Sequence, residues 1–371
     1  MNIQDANKIV IKVGSALIAD KDIGTIKAKW LENLALDIAA LNKENKQVVI
    51  VSSGAVALGR KHIKNSKKSL KLEEKQAAAA CGQIELMQHY NNSFNNLGLK
   101  AAQLLLTVYD SDNRRNYLNA KNTLVTLLEN NIIPIINEND TVATQELRFG
   151  DNDRLAARVA QMIEADLLII LSDIDGLYDS NPQINNNAKH IDLVSKITNE
   201  IKAMAGDSIS NVGTGGMTTK IEAAKIAVNS GCNVIITKGT IDRPLTILQN
   251  NGKHTLFTAT ETALNARKRW LYNSLNVNGI VVLDDGAYKA LLLGKSLLPA
   301  GVKEITGEFE RGDVVIIKNN NIEIGRGLIA YSSTEAQLIK GKQSANIENI
   351  LGFSGREELI HRDNMVIKND I

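Results

Sequence analysis

Residues 134–153 read Pro-Ile-Ile-Asn-Glu-Asn-Asp-Thr-Val-Ala-Thr-Gln-Glu-Leu-Arg-Phe-Gly-Asp-Asn-Asp, the pattern of a strand, a polar turn and the start of a helix. The apolar strand becomes polar at Asn137, and a second polar group follows Gly150. Carboxylates and amides at the carboxyl end of a buried strand cost free energy unless something binds them. The stretch therefore predicts a site for a polar ligand, a metal ion or both. The alternative is an Asn- and Asp-rich turn that is only solvated.

Strands and helices alternate on both sides of this stretch. Short β-branched runs predict strands, and apolar residues that recur every three or four positions predict the helices between them. Near-continuous apolar strands separated by helices indicate an α/β fold, with a mostly parallel sheet sandwiched by helices and joined by right-handed crossovers. The predicted strands are residues 8–13, 47–51, 102–107, 132–136, 167–172 and 233–238, and the predicted helices lie near residues 30–41, 72–90 and 153–164, after residue 112 and from residue 217.

Four of the predicted strands end in polar residues. Ligands of parallel sheets bind at the carboxyl ends of the strands, so we expect these ends to form one site. The polar strand ends are Lys12, Ser53, Asn137 to Asp140, and Ser172 with Asp173.

The pattern changes after about residue 258. From residue 277 onward, short strands separated by Gly and Asn predict a small β-rich domain. A chain of 371 residues is long enough for two domains. We therefore predict an α/β domain over residues 1–258, a linker over 259–276 and the β-rich domain over 277–371. In the β-rich domain, strands are predicted at residues 279–283, 291–293, 313–318 and 323–331, and a helix at 334–339.

The composition is that of an ordinary soluble globular protein. Hydrophobic residues make up 44% of the chain and charged residues 23%, and the net charge of +2 implies no polyanionic partner. Apolar runs such as residues 167–171 are far shorter than the roughly 18 residues of a membrane span, and no signal core precedes Lys8, so we expect a cytoplasmic protein. Cys81 and Cys232 are predicted to be small buried hydrophobic residues, and the five histidines form no metal-binding cluster.

Residues 213–220 form a glycine-rich turn, Gly-Thr-Gly-Gly-Met-Thr-Thr-Lys, followed by an amphipathic helix. Glycines let backbone amides approach phosphate oxygens, and a helix N-terminus adds its dipole. The spacing matches neither a Walker A loop nor GxGxxG. Lys220 lies in the first turn of this helix, where its ammonium group can reach the same anion. With Lys12 from another strand end, it could neutralise a phosphoryl group during transfer.

Several neighbouring polar residues allow two interpretations. Asp153 is a partner for the two lysines, and it is also placed to cap the helix that follows; the two roles are compatible. Ser52 and Ser53 are favoured as hydrogen-bonding groups for a small ligand over nucleophiles, because no histidine motif lies nearby. Asp173 and Asp175 could bind a metal ion or a nucleotide, or they could belong to a plain turn.

Taken together, these motifs resemble the amino acid kinase family, and within it the members that phosphorylate glutamate. The tail is similar to the PUA domain that such kinases carry, in residues 294–302, 307–309 and 311–313. The resemblance covers essentially the whole chain and implies an amino acid kinase fold followed by a PUA-like domain. Ser52 and Ser172 stand where relatives often carry Thr, and each keeps a hydroxyl group. The motifs are residues 11–15, 51–55, 136–140, 149–153, 172–173 and 213–220.

The resemblance also implies a reaction and a site. ATP with Mg2+ would phosphorylate the γ-carboxylate of L-glutamate, which is the first step of proline biosynthesis. Lys12 and Lys220 would stabilise the transferring phosphoryl group, and Asp153 would orient both lysines. Glutamate would be held by Ser53, Asp140 and Asn152, with Asn137 and Asp151 close by. ATP would be bound by Lys12, Ser172, Asp173, Thr214, Gly215, Gly216, Met217, Thr218, Thr219 and Lys220.

The implied transfer needs no general base, because a substrate carboxylate is already ionised at neutral pH. We expect Mg2+ to arrive with ATP and assign it no protein ligand. The resemblance further implies feedback inhibition by proline at the glutamate site and assembly into a homo-oligomer.

Two alternative functions are open at this point. A kinase of the same fold could act on aspartate, N-acetylglutamate or UMP, although the PUA-like tail argues against these relatives. A PUA-like tail could also bind RNA. Residues 278–354, however, carry eight basic and nine acidic side chains, which is not the basic surface that RNA binding normally needs. We therefore expect the tail to have a structural role.

Overall fold

The computed structural model describes residues 2–20, 24–64, 70–142, 152–205, 216–272 and 277–368. Contacts between Cα atoms divide the chain into two units. The first comprises Met1–Asp112 with Asn119–Ala263, and the second comprises Asn113–Leu118 with Leu264–Ile371. The domain limits at residues 258 and 277 stay a prediction, because such contacts do not show where a part of the chain folds independently.

An eight-stranded sheet forms the centre of the first unit. The strands of this unit are β1 (Lys8–Val13), β2 (Gln47–Ser52), β3 (Lys100–Leu106), β4 (Ile132–Glu138), β5 (Leu167–Ser172), β6 (Leu177–Tyr178), β7 (His190–Ile191), β8 (Leu193–Val194), β9 (Asn233–Lys238) and β10 (His254–Phe257). The large sheet has the order β3-β4-β2-β1-β5-β9-β10-β8, while β6 pairs with β7. Its neighbouring strands are parallel except for β9 and β10, which confirms the predicted mostly parallel α/β sheet.

Helices follow most of these strands, and their apolar faces cover the sheet. The helices as far as residue 272 are α1 (Ser15–Ile18), α2 (Ala28–Lys43), α3 (Ala55–Gly59), α4 (Leu72–Asn95), α5 (Val108–Asp112), α6 (Arg114–Glu129), α7 (Asn152–Ile163), α8 (Asn199–Ala203), α9 (Met217–Asn229), α10 (Pro244–Gln249) and α11 (Ala263–Tyr272). Every residue of β5 is buried, as is every residue of β1 after Lys8. At about 1.5–3 kcal/mol for each aliphatic side chain, this burial makes the central strands a rigid base for whatever their ends carry.

The register of the sheet brings the polar strand ends together. Lys12 of β1 lies opposite Val51 of β2 and Ile170 of β5, and Val51 also pairs with Ile136 of β4. Neighbouring strands lie about 4.8 Å apart, so the polar residues after these positions form one row along the edge of the sheet.

A five-stranded sheet forms the centre of the second unit. Its strands are β11 (Gly279–Leu283), β12 (Val302–Gly307), β13 (Val314–Asn319), β14 (Ile322–Leu328) and β15 (Met365–Ile367), and its helices after residue 277 are α12 (Asp285–Leu292), α13 (Ser333–Ile339) and α14 (Ile347–Leu351). The order is β12-β11-β13-β14-β15, with only β11 and β13 parallel. The prediction of a β-rich unit is confirmed.

Two local predictions were wrong. Residues 291–293 were predicted as a strand, but they end helix α12, because the Asp284 side chain accepts a hydrogen bond from the Ala287 N–H (2.7 Å) and so caps a helix that runs into them. Cys81 was predicted to be buried and is exposed, since it lies on the outer face of α4; Cys232 is buried as predicted. Among the described residues, no helix is both long and apolar enough to cross a membrane.

Candidate active site

A buried carboxylate holds two lysines at the carboxyl edge of the first sheet. Asp153 Oδ1 lies 2.6 Å from Lys12 Nζ, and Asp153 Oδ2 lies 3.3 Å from Lys220 Nζ. Thr219 Oγ1 also donates a hydrogen bond to Asp153 Oδ2 (2.9 Å). Lys12 and Lys220 are each 6% exposed and Asp153 only 1%. Two positive charges therefore face one negative charge in a poorly solvated place, which leaves a net attraction for an anion.

Three separate elements place these charges. Lys12 lies near the end of β1, Asp153 lies in the first turn of α7, and Lys220 lies in the first turn of α9, which packs against α7. Burial disfavours the charged form of Asp153, but the two lysines and the hydrogen bonds from Lys12 and Thr219 outweigh it and lower the pKa of this carboxyl below its ordinary value. Asp153 is thus an anion that holds both ammonium groups in place.

A chain of amide hydrogen bonds lies beside this charged group. Asn152 Nδ2 donates to Ser53 Oγ (2.7 Å), to the Ser52 carbonyl oxygen (3.2 Å) and to Asn137 Oδ1 (3.1 Å). Asn137 Nδ2 in turn donates to Gln83 Oε1 (2.8 Å). Asn137 and Asn152 are buried, so the chain is a fixed polar surface made from the ends of β2 and β4 and the start of α7.

Glycines allow the backbone approach that builds this surface. Gly54 has φ +112°, a conformation that side chains disfavour, and it turns the chain from β2 into α3. A Cβ atom on Gly82 of α4 would overlap the carbonyl oxygen of Ala55 at the start of α3. Helix α4 can therefore lie against the turn, and its Tyr90 hydroxyl donates to Ser52 Oγ (3.0 Å) from a fully buried position.

Asp140 follows the end of β4 and differs electrostatically from Asp153. Burial raises the pKa of this carboxyl to about 6, and no ion-pair partner for it lies among the residues that the structure describes. A half-buried carboxylate without an ion-pair partner gains free energy when a cation binds. The side chain is therefore suited to an ammonium group.

The nucleotide candidates lie on the other side of β1. Ser172 is buried at the end of β5, and its hydroxyl donates a hydrogen bond to Asp173 Oδ1 (2.9 Å). Asp173 itself is exposed. Asp175 accepts a hydrogen bond from the Tyr178 hydroxyl (2.8 Å) and pairs with Lys253 (3.4 Å). Partial burial opposes ionisation of Asp175, but these partners lower the pKa of its carboxyl, which fits the turn interpretation.

Gly216 caps the N-terminus of α9, and Met217, Thr218, Thr219 and Lys220 form its first turn. A Cβ atom on Gly216 would meet no atom within 4 Å among the described residues. Asp151, Thr214 and Gly215 lie outside the described residues. No group of three or more His, Cys, Asp or Glu that could hold a metal ion occurs in the described part of the chain.

Comparison with known proteins gives the family. The amino acid kinase family model matches residues 7–238, and the PUA domain model matches residues 279–351. A glutamate 5-kinase of Nitrobacter hamburgensis is 51% identical over 368 residues, covering 99% of this chain and 97% of that protein. One from Bradyrhizobium diazoefficiens is 52% identical over 361 residues, covering 97% of each. The chain belongs to the glutamate 5-kinase family.

The resemblance to the amino acid kinase family and to the PUA domain is thereby confirmed. Among solved structures, a UMP kinase from Ureaplasma parvum has a TM-score of 0.49 and 17% sequence identity, covering 68% of this chain and 98% of that one.

The structure joins seven of the predicted site residues into two groups by direct contacts. The residues joined by direct contacts are Lys12, Lys220, Asp153 and Thr219 in one group and Ser53, Asn137 and Asn152 in the other. Sequence reasoning missed two residues of α4: Gln83, which contacts Asn137 of the second group, and Tyr90, which contacts the neighbouring Ser52. The available signal was Gly82 within an Ala-rich helix, since an interior glycine lowers helix propensity and needs a packing reason.

Proposed function

We propose that this protein transfers the γ-phosphoryl group of ATP to the γ-carboxylate of L-glutamate and so forms L-glutamyl 5-phosphate, the first step of proline biosynthesis. Its membership in the glutamate 5-kinase family supports the reaction. The observation that carries the mechanism is the buried group in which Asp153 holds Lys12 and Lys220 beside the amides of Asn137 and Asn152.

In our proposal, Lys12 and Lys220 stabilise the phosphoryl group in the transition state of its transfer. The transferring group spreads negative charge over its equatorial oxygens, and preorganised cations in a dry site stabilise such charge strongly. The Asp153 carboxylate offsets the repulsion between the two ammonium groups and so keeps them close together. The substrate γ-carboxylate is ionised at neutral pH and attacks without losing a proton, so no side chain has to act as a base.

Glutamate binding is assigned to the row of polar groups next to the lysines. The carboxylate of Asp140 suits the α-ammonium group by charge. Ser53, Asn137 and Asn152 offer hydrogen bonds along the substrate, and Asp151 is proposed to lie close to it. Proline carries a comparable ammonium and carboxylate pair, which supports the proposal that it acts as a feedback inhibitor at the same site.

ATP binding is assigned to the ends of β1 and β5 and to the start of α9. The helix dipole and the first backbone N–H groups of α9, which follow Gly216, favour a phosphate there. The proposed contacts are Lys12, Ser172, Asp173, Thr214, Gly215, Gly216, Met217, Thr218, Thr219 and Lys220. Mg2+ commonly binds through substrate phosphates, water and at most one or two carboxylates, so we propose that it arrives with ATP. The ion would offset charge on the phosphates.

From the family resemblance we further propose that the protein is a homo-oligomer, and we propose that it acts in the cytoplasm, where ATP and glutamate are both available.

The test is to trap the acyl phosphate with hydroxylamine. The purified protein is supplied with ATP, Mg2+ and either L-glutamate, L-aspartate or N-acetyl-L-glutamate. We expect hydroxamate from L-glutamate only. Equal or greater product from aspartate or N-acetylglutamate would overturn the substrate assignment, and no product from any of them would overturn the reaction.

A further inference from the structure

Gln83 places an amide donor in the proposed glutamate site without a protein acceptor for it. Gln83 Nε2 is buried and has no hydrogen-bond partner among the described residues. A buried donor left in this state costs about 1–3 kcal/mol. The buried acceptor Asn152 Oδ1 is in the same state. The site therefore offers one donor and one acceptor, in addition to the Asp140 carboxylate, to a ligand that carries both kinds of group.

Backbone groups settle which end of each amide faces the ligand. The Glu138 N–H donates to Asn137 Oδ1 (2.9 Å), so the Asn137 amide nitrogen must be the atom that faces Gln83. Gln83 can then only accept through Oε1, and its Nε2 points away from Asn137. The Ser52 carbonyl fixes the Asn152 amide in the same manner, because it can only accept.

The fold holds Gln83 at this place through the residue before it. Gly82 lets the backbone of α4 approach Ala55, at the start of α3. Any side chain at Gly82 would push the two helices apart and move Gln83 away from Asn137. The backbone contact at Gly82 and the hydrogen bond from Asn137 are two separate observations. Each of them places the Gln83 side chain in the proposed site.

The strand order tells which end of the substrate Gln83 meets. The lysine that marks the phosphoryl end lies on β1, whereas Gln83 binds Asn137 on β4, two strands away in the order β4-β2-β1. The γ-carboxylate must lie at the phosphoryl end, so the α-carbon lies toward β4. Asp140, which also follows β4, suits the ammonium group there, and an uncharged N–H donor suits the α-carboxylate.

We propose that Gln83 Nε2 donates a hydrogen bond to the α-carboxylate of L-glutamate, which makes Gln83 a residue that selects α-amino acids. The proposal rests on the proposed function. It also explains why an amide donor without a protein acceptor is kept buried at the end of this chain of hydrogen bonds.

The test compares Gln83→Glu and Gln83→Met on two substrates. Gln83→Glu keeps an oxygen acceptor for Asn137 but replaces the N–H donor by a second oxygen. Gln83→Met removes both groups at a similar length. The substrates are L-glutamate and 4-aminobutyrate, which is glutamate without its α-carboxylate. Kd is measured by titration calorimetry and kcat by hydroxamate formation. The matched control is Gln88→Glu, the same change at an exposed position of α4.

We expect Gln83→Glu to weaken L-glutamate binding by about 10- to 100-fold, as for the loss of a hydrogen bond to a charged group. Gln83→Met should weaken it less, because it adds no repulsion. Binding of 4-aminobutyrate, already weak, should not weaken further in either variant, and Gln88→Glu should match the wild type.

Three results would overturn the proposal for Gln83. They are equal losses for both substrates, a Gln83→Met variant that binds glutamate worse than Gln83→Glu, or unchanged glutamate binding in both variants. In each case the wild type still makes hydroxamate from glutamate, so the proposed function stands. A wild type that makes none overturns the proposed function, and the Gln83 proposal with it.

Discussion

Asp153 is the residue on which both lysines depend. Its pKa is lowered in the folded protein, so its ion pairs stabilise the fold above its unfolded pKa of about 3.9, and that contribution is lost as the pH falls through the folded pKa. At neutral pH we expect Asp153→Asn to lower the free energy of unfolding by about 3 kcal/mol, because it leaves two buried lysines without an anion. Urea unfolding measures this loss. Asp112→Asn, at an exposed ion pair, should cost below about 1 kcal/mol; equal losses in the two variants would contradict the role of Asp153.

The raised pKa of Asp140 predicts that glutamate binding depends on pH. Burial raises the pKa of Asp140 to about 6, so in the free protein this carboxyl is charged above pH 6 and becomes neutral below it. An ammonium group binds only the charged form well. The KM for glutamate should therefore rise as the pH falls from roughly 7 to 5, a range in which the substrate carboxylates stay ionised. Asp140→Asn should have a higher KM that no longer changes over this range. A wild-type KM that is flat from pH 7 to 5 would exclude Asp140 as the ammonium partner.

At the scale of elements, the contact between α3 and α4 positions the side chains of the proposed glutamate site. Gly82→Ala should raise the intrinsic helix propensity of α4, yet its Cβ would overlap the carbonyl oxygen of Ala55. We expect the steric overlap to outweigh the gain in helix propensity. The variant should lose at least about 2 kcal/mol in the free energy of unfolding and have a higher KM for glutamate. The reverse substitution Ala80→Gly, at an exposed position of the same helix, should cost about 1 kcal/mol and leave KM unchanged. A stabilised Gly82→Ala variant would refute the close contact.

The elements that the sequence predicted well have strong local patterns. β1 and β5 are continuous β-branched or apolar runs, so their positions follow from periodicity alone. Leu291 misled the prediction because a short leucine run suits a strand or a helix, and the deciding cap lies seven residues earlier at Asp284. Gln83 escaped prediction for a similar reason. Its partner Asn137 lies 54 residues away, and only the packing of α4 on α3 brings the two together.

At the scale of the whole molecule, the first unit alone contains both described groups of site residues. At the carboxyl edge of its sheet, Lys12 lies on β1 on one side of β2 and Asn137 lies on β4 on the other, so the two proposed substrates could meet over neighbouring strands. The convergence of strand ends was predictable from the alternation of strands and helices. Asp153 was predicted as the partner of both Lys12 and Lys220, and in the structure the packing of α7 against α9 brings the three side chains together.

The central claim is that the buried lysines act on the transition state, and Lys220→Met tests it most directly. The measurement is kcat for hydroxamate formation from glutamate, together with Kd for glutamate, with Lys225→Met at an exposed position of α9 as the control. We predict that kcat of Lys220→Met falls about 100- to 1,000-fold, as for other preorganised electrostatic groups, while Kd for glutamate stays within about threefold of the wild type. Lys225→Met should behave as the wild type. Near-normal turnover by Lys220→Met would contradict the account.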